Sequence, residues 1–181
     1  MADNVVRPVA LALLECFCEA LEAQHGTTLM VDGGTLPGQC CFRVGEAVSA
    51  DASEYEDLCC SGLAWVRVDD VFSTSDDFPA PDTSVVITGC GPLAWGVVLE
   101  MGVLRCAPTG SLETVPTCEE WTAMQEAIFL DQAAMRQAMC CLIEQYDPGS
   151  VAIGSWNPLP TSGGCGGSTW QVTVQIPCGD C

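Results

Sequence analysis

Thr117–Tyr146, TCEEWTAMQEAIFLDQAAMRQAMCCLIEQY, decides the fold. Thr117 follows Pro116 and opens a Thr-x-x-Glu run, the form of a capping box in which hydroxyl and carboxylate satisfy two backbone N–H groups at a helix start. Trp121, Met124, Ile128, Met135, Met139, Leu142 and Tyr146 then recur at helical spacing, and Asp147-Pro148-Gly149 closes the run. A stripe of methionines and aromatics at that spacing is core rather than a cofactor box. A helix this long with one apolar stripe has to be covered, and the β-rich stretches on either side supply the cover.

Upstream, residues 8 to 24 form a predicted first helix. Pro8 stands at its first position, Val9, Leu13, Cys16, Phe17, Ala20 and Leu21 share one face, and Gly26 stops it. One short strand is expected near Cys40 to Val44. In the segment from Gly62 to Phe72, Ala64, Val66 and Val68 face one way and Leu63, Trp65 and Arg67 the other. A second long strand runs from Leu93 to Cys106, with Trp95, Val97, Leu99, Met101 and Val103 on one side. After the long helix, Ser150 to Trp156 and Thr169 to Ile176 return to β. In the last of these, Trp170, Val172, Val174 and Ile176 point inward and Thr169, Gln171, Thr173 and Gln175 outward. The pattern predicts a single α+β domain over residues 1–181, in the order helix, strands, helix, strands, with both helices on a mainly antiparallel sheet. Long loops or arms are expected at about 26–57, 73–91 and 157–168.

Charge narrows the function. The chain has 24 acidic and five basic residues, a formal net charge of −19, and its bases are all arginine: Arg7, Arg43, Arg67, Arg105 and Arg136. Nucleic-acid binders cluster lysine and arginine on one face, and these five are scattered. Such a chain repels polyanions, which suits a protein that DNA must pass without sticking. The start has no basic leader region, and the apolar stretch from Val9 to Leu21 is broken by Glu15 and Glu19, so a soluble protein made in a cytoplasm is expected, with no membrane partner.

Fourteen cysteines, six of them in the vicinal pairs Cys40-Cys41, Cys59-Cys60 and Cys140-Cys141, fit no zinc pattern. Neighbouring residues on a strand face opposite ways, and Cys16 and Cys18 lie about 200° apart on a helix. Small buried hydrophobes with a few disulfides is the expected reading. The Cys178 to Cys181 pair has redox spacing but no helix N-terminus to activate it. His25, the only histidine, falls at the end of the first helix with no nucleophile beside it in any recognisable motif, and reads as structural or exposed. Gly163-Gly164-Cys165-Gly166-Gly167 lacks the Lys-Ser/Thr of a phosphate loop and reads as a hairpin connection. Adjacent carboxylates such as Asp69-Asp70, Asp76-Asp77 and Glu119-Glu120 do not set the opposed geometry of acid–base hydrolysis. No catalytic residue, cofactor or metal is expected.

Three segments together resemble neck proteins of long-tailed phages of actinobacteria, the tail terminators above all. They are Gly102-Val103-Leu104-Arg105-Cys106-Ala107-Pro108, then Asp131-Gln132-Ala133-Ala134-Met135-Arg136 with Cys140-Cys141, and Gly154-Ser155-Trp156-Asn157-Pro158 leading to the glycine run at 163–167. The likeness extends over most of residues 8 to 176 and is weakest at 26–57 and 73–91. It implies a virion protein of the neck, assembled in the host cytoplasm. Its partners would be copies of itself in a hexameric ring, the major tail tube protein and the head-completion (stopper) protein. Genomic DNA would pass through the lumen without specific binding, and no catalysis would be involved. Ring contacts would be heterologous, made through sheet edges and the arms, with Arg105, Arg136, Trp156, Gly164, Cys165 and Trp170 as interface candidates. Arg105 and Arg136 are each expected to meet a carboxylate, within the fold or across a subunit joint. Disulfides formed late, outside the cell, would lock the ring. The rival readings are a stopper or adaptor of the same neck, a small cysteine-based metal or redox protein, and a cellular α+β binding module.

Overall fold

A computed structural model describes residues 5–25, 39–44, 62–83, 94–108, 115–162 and 164–177 of the chain. In chain order they form α1 (Val6–His25), β1 (Gln39–Val44), β2 (Leu63–Thr74), β3 (Ala94–Cys106), α2 (Cys118–Gln145), a 3-10 turn (Pro148–Ser150), β4 (Val151–Ser162) and β5 (Cys165–Pro177). The strands make one five-stranded sheet in the order β1-β2-β3-β5-β4. β1 is parallel to β2 and the other pairings are antiparallel. The fold is therefore α+β with a mostly antiparallel sheet, as the pattern predicts.

Alternation along the strands sorts the sheet into two faces. Ala64, Val66, Val97, Leu99, Met101, Val103, Val172, Val174 and Ile176 meet the helices, whose own buried stripes carry Leu13, Phe17, Leu21, Met135, Met139 and Leu142. The opposite face holds a second cluster of Leu63, Trp65, Leu104 and Cys165. Trp65 pairs across the strands with Gly102, and the indole lies where a side chain at 102 would stand, since a Cβ there would be 2.1 Å from it. Glycine at 102 is thus a packing requirement of Trp65.

The capping box forms as its sequence dictates. Thr117 Oγ1 accepts from the Glu120 N–H at 3.2 Å, and a Glu120 carboxylate oxygen accepts from the Thr117 N–H at 2.7 Å. Thr117→Ala is expected to cost about 1 kcal/mol of stability, read as a lower urea midpoint with an unchanged slope.

Several boundaries differ from the sequence reading. α1 starts at Val6, so Pro8 lies within the first turn, where its missing N–H breaks no helical bond. The arm expected over 157–168 is a β-hairpin: β4 runs to Ser162, and the connection shrinks to residues 163–164, with Gly164 at φ 80°. Among the described residues of the arm expected at 73–91, Ser73 and Thr74 end β2 and the chain then turns back over 75–83, held by Asp82 N–H to Ser73 O at 2.9 Å. Within 26–57 the described residues are those of β1; the acidic run from Asp51 to Asp57, the Val85-Val86-Ile87 segment and the Cys178 to Cys181 pair lie outside the described residues. Thr169, expected to face out, is buried.

Candidate functional site

Three polar residues sit where apolar ones are expected. Arg105 continues the inward face of β3 after Met101 and Val103, Asp131 falls in the α2 stripe between Ile128 and Met135, and His25 extends the α1 stripe after Leu21. All three are buried, Asp131 completely. They meet one another. Arg105 grips Asp131 with two bonds, Nε to Oδ2 at 2.5 Å and the NH2 nitrogen to Oδ1 at 2.6 Å. His25 Nε2 lies 2.8 Å from Asp131 Oδ1 and 3.0 Å from the same guanidinium nitrogen, while its Nδ1 has no partner. As an N–H, Nε2 donates to Asp131; as a bare nitrogen it accepts from Arg105, so the tautomer decides which of the two it serves. His25 is thus a core residue, not a frayed helix end.

The cluster ties β3, α2 and α1 together, and it also brings the glycine run near. Arg105 is the register partner of Gly166, the Ala107 N–H donates to Gly164 O at 2.7 Å, and a Cβ on Gly166 would be 2.4 Å from Met124 of α2. The segments at 102–108, 131–136 and 164–167 are therefore neighbours in space. Arg105 and Asp131 are turned inward on one another, whereas Arg136 is exposed.

The interface candidates separate into two groups. Arg105 and Cys165 are buried within their own chain. Trp156 and Trp170 are cross-strand partners, half-buried against the helix-side core, with the Trp170 indole N–H donating to Gly154 O at 2.9 Å. Gly164 takes the left-handed position of the hairpin turn. Arg136 alone is exposed, on α2, and makes no ion pair with a described residue. The expected pairing with a carboxylate inside the fold thus applies to Arg105 and not to Arg136. A pair missed in the sequence is Arg67 with Glu100. They face each other across β2 and β3 with Nε to Oε1 at 2.7 Å, and Asp69, at a bulge, adds a second bond at 2.6 Å. The hydrogen bond to Glu100 raises the Arg67 pKa further above its usual range.

The cysteines do more than fill space. Cys16 is bonded to Cys141 of α2 and Cys18 to Cys40 of β1. The helical offset between positions 16 and 18 is what sends them to different partners. Cys165 is disulfide-bonded as well. Cys118 and Cys140 are exposed thiols, so the vicinal pair at 140–141 divides between a staple and solvent.

An open groove of about 500 Å³ runs past Tyr146, Asp147, Gln175 and Pro177. Burial pushes the Tyr146 phenol above its ordinary pKa. The groove's described lining also includes Ala94, Gln145, Ser150 and Ile176. No group of three metal-ligating side chains occurs among the described residues, and no described helix is long and apolar enough to cross a membrane. No protein-family model matches the chain, and no curated protein matches it.

Proposed function

We propose that this chain is a structural subunit of the neck of a long-tailed actinobacterial phage, a tail terminator. Its copies close into a hexameric ring on the finished tail tube, stop further polymerisation and receive the head's connector. The observation that carries the reading is the convergence of the three resembling segments on one buried charge cluster. Arg105 grips Asp131, and Gly166 of the glycine run is the register partner of Arg105. Two further features suit the role. β4 is a twelve-residue edge strand with most of its side chains exposed, the kind of element through which subunits add laterally. The net charge of −19 keeps passing DNA from adhering to a lumen built of such subunits.

Electron microscopy of a lysate from phage lacking this gene tests the proposal. Overlong, headless tails are expected. Tails of normal length beside leaking heads would move the protein to the head side of the joint, as a stopper. Normal particles would remove it from the neck.

A further inference from the structure

The flank of α2 that faces away from α1 carries an unusual pair of residues. α1 lies on the side marked by Gln137, which accepts from Gln24 at 3.1 Å, and by Cys141, bonded to Cys16. Arg136 is turned about 100° from Gln137, and Phe129, about two turns earlier, projects the same way. Phe129 is 59 % exposed, the second largest exposure of any big apolar side chain described. Beneath this flank runs β4, where Ile153 is 53 % exposed and, opposite Val172 in register, lies on the helix-bearing side of the sheet. An exposed aromatic, an exposed isoleucine and a cation with no ion-pair partner among the described residues thus share one lateral border of the subunit. Aromatic residues and arginine are the types that anchor protein interfaces.

The helix-free face of the same subunit is acidic: Asp70 alternates with Val71, whose partner Val97 is on the helix side, and the turn after β2 crosses that face to β5, where Gln175 Nε2 donates to Ser75 O at 3.1 Å. β1 pairs with β2 only as far as Val68, and beyond it Asp70 to Thr74 pair only with β3 among the described residues. That stretch and the turn after it expose Asp70, Asp76 and Asp77. The α2 flank and the acidic residues lie on opposite faces of the sheet, so a single chain cannot join them. Two copies placed head to tail can.

We infer that the Phe129–Arg136 flank of α2, with Ile153 of β4, docks on a second copy of this chain, whose Asp70, Asp76 and Asp77 receive Arg136. The inference rests on the ring reading and names the contact that closes the ring. Because the two patches differ, the contact is heterologous and leaves a free patch on each partner, as a ring requires.

Sedimentation equilibrium of the purified chain over a wide concentration range is the test. Arg136→Glu is expected to weaken self-association at least about tenfold, and Phe129→Ser comparably. Combining Arg136→Glu with Asp76→Arg and Asp77→Arg is expected to restore it, since the charges are then exchanged across the same joint. All these positions are exposed, so unchanged unfolding midpoints will show that each variant folds. Assembly that ignores both Arg136→Glu and Phe129→Ser would overturn the inference and leave the ring reading standing. A wild-type chain that stays monomeric throughout would also overturn it, and the phage lysate then decides the ring reading independently.

Discussion

Asp131→Ala is expected to lower the stability of the chain by about 3–5 kcal/mol, because removing one partner leaves the other charge buried without compensation. Here the stranded group is Arg105, which is 3 % exposed, with His25 at 1 % beside it. Against a typical total of about 5–15 kcal/mol, that is enough to leave much of the protein unfolded at moderate temperature. Urea unfolding followed by tryptophan fluorescence measures it. The companion variant separates two explanations. Asp131→Leu together with Arg105→Met removes both charges, and is expected to recover most of the loss, since a packed apolar pair often equals a buried ion pair. A double variant as unstable as Asp131→Ala would mean that the geometry of the cluster, and not its charge balance, holds α2 to β3.

The second large effect belongs to the staple between α1 and α2. Cys16 and Cys141 are 125 residues apart in sequence, whereas Cys18 and Cys40 are 22 apart. In the chain-entropy account a cross-link stabilises by restricting the unfolded chain, and the restriction grows slowly with loop length. Cys16→Ala with Cys141→Ala should therefore cost about 5 kcal/mol, and Cys18→Ala with Cys40→Ala about 3 kcal/mol. Denaturant midpoints of the two variants under oxidising conditions give the order. Equal losses, or a larger loss from the shorter loop, would show that local packing around α1 outweighs loop entropy. Full reduction of the wild-type chain should lower the midpoint by more than either variant alone.

Periodicity made most of the fold legible. The α2 boundaries follow from a capping box and a Pro-Gly stop, both local signals, and the inward faces of β3 and β5 follow from strict alternation. The hairpin connection at the glycine run is legible, but the extension of its strands through 157–168 is not, because Pro158, Pro160 and the glycines are turn residues by composition. On an edge strand, however, proline lacks only a donor that no neighbour needs. The buried cluster was hidden for a different reason. Each member interrupts an apolar stripe by a single position, and a stripe read for its hydrophobes passes over the gaps. Read for its exceptions, the pattern places an Arg, an Asp and a His on three inward faces, and only mutual pairing makes that tolerable. The disulfide partners were not legible, since adjacency in sequence says little about which two sulfurs meet.

The path of the chain through its cross-links has a further consequence. The bond between Cys16 and Cys141 closes a covalent circuit that includes β1, β2, β3 and most of α2. A protease cutting the exposed turn at Asp76-Asp77 would open the backbone but not release either half. The nicked chain would run as two pieces only after a reductant is added, and until then its helices would stay tethered and able to hold the sheet together.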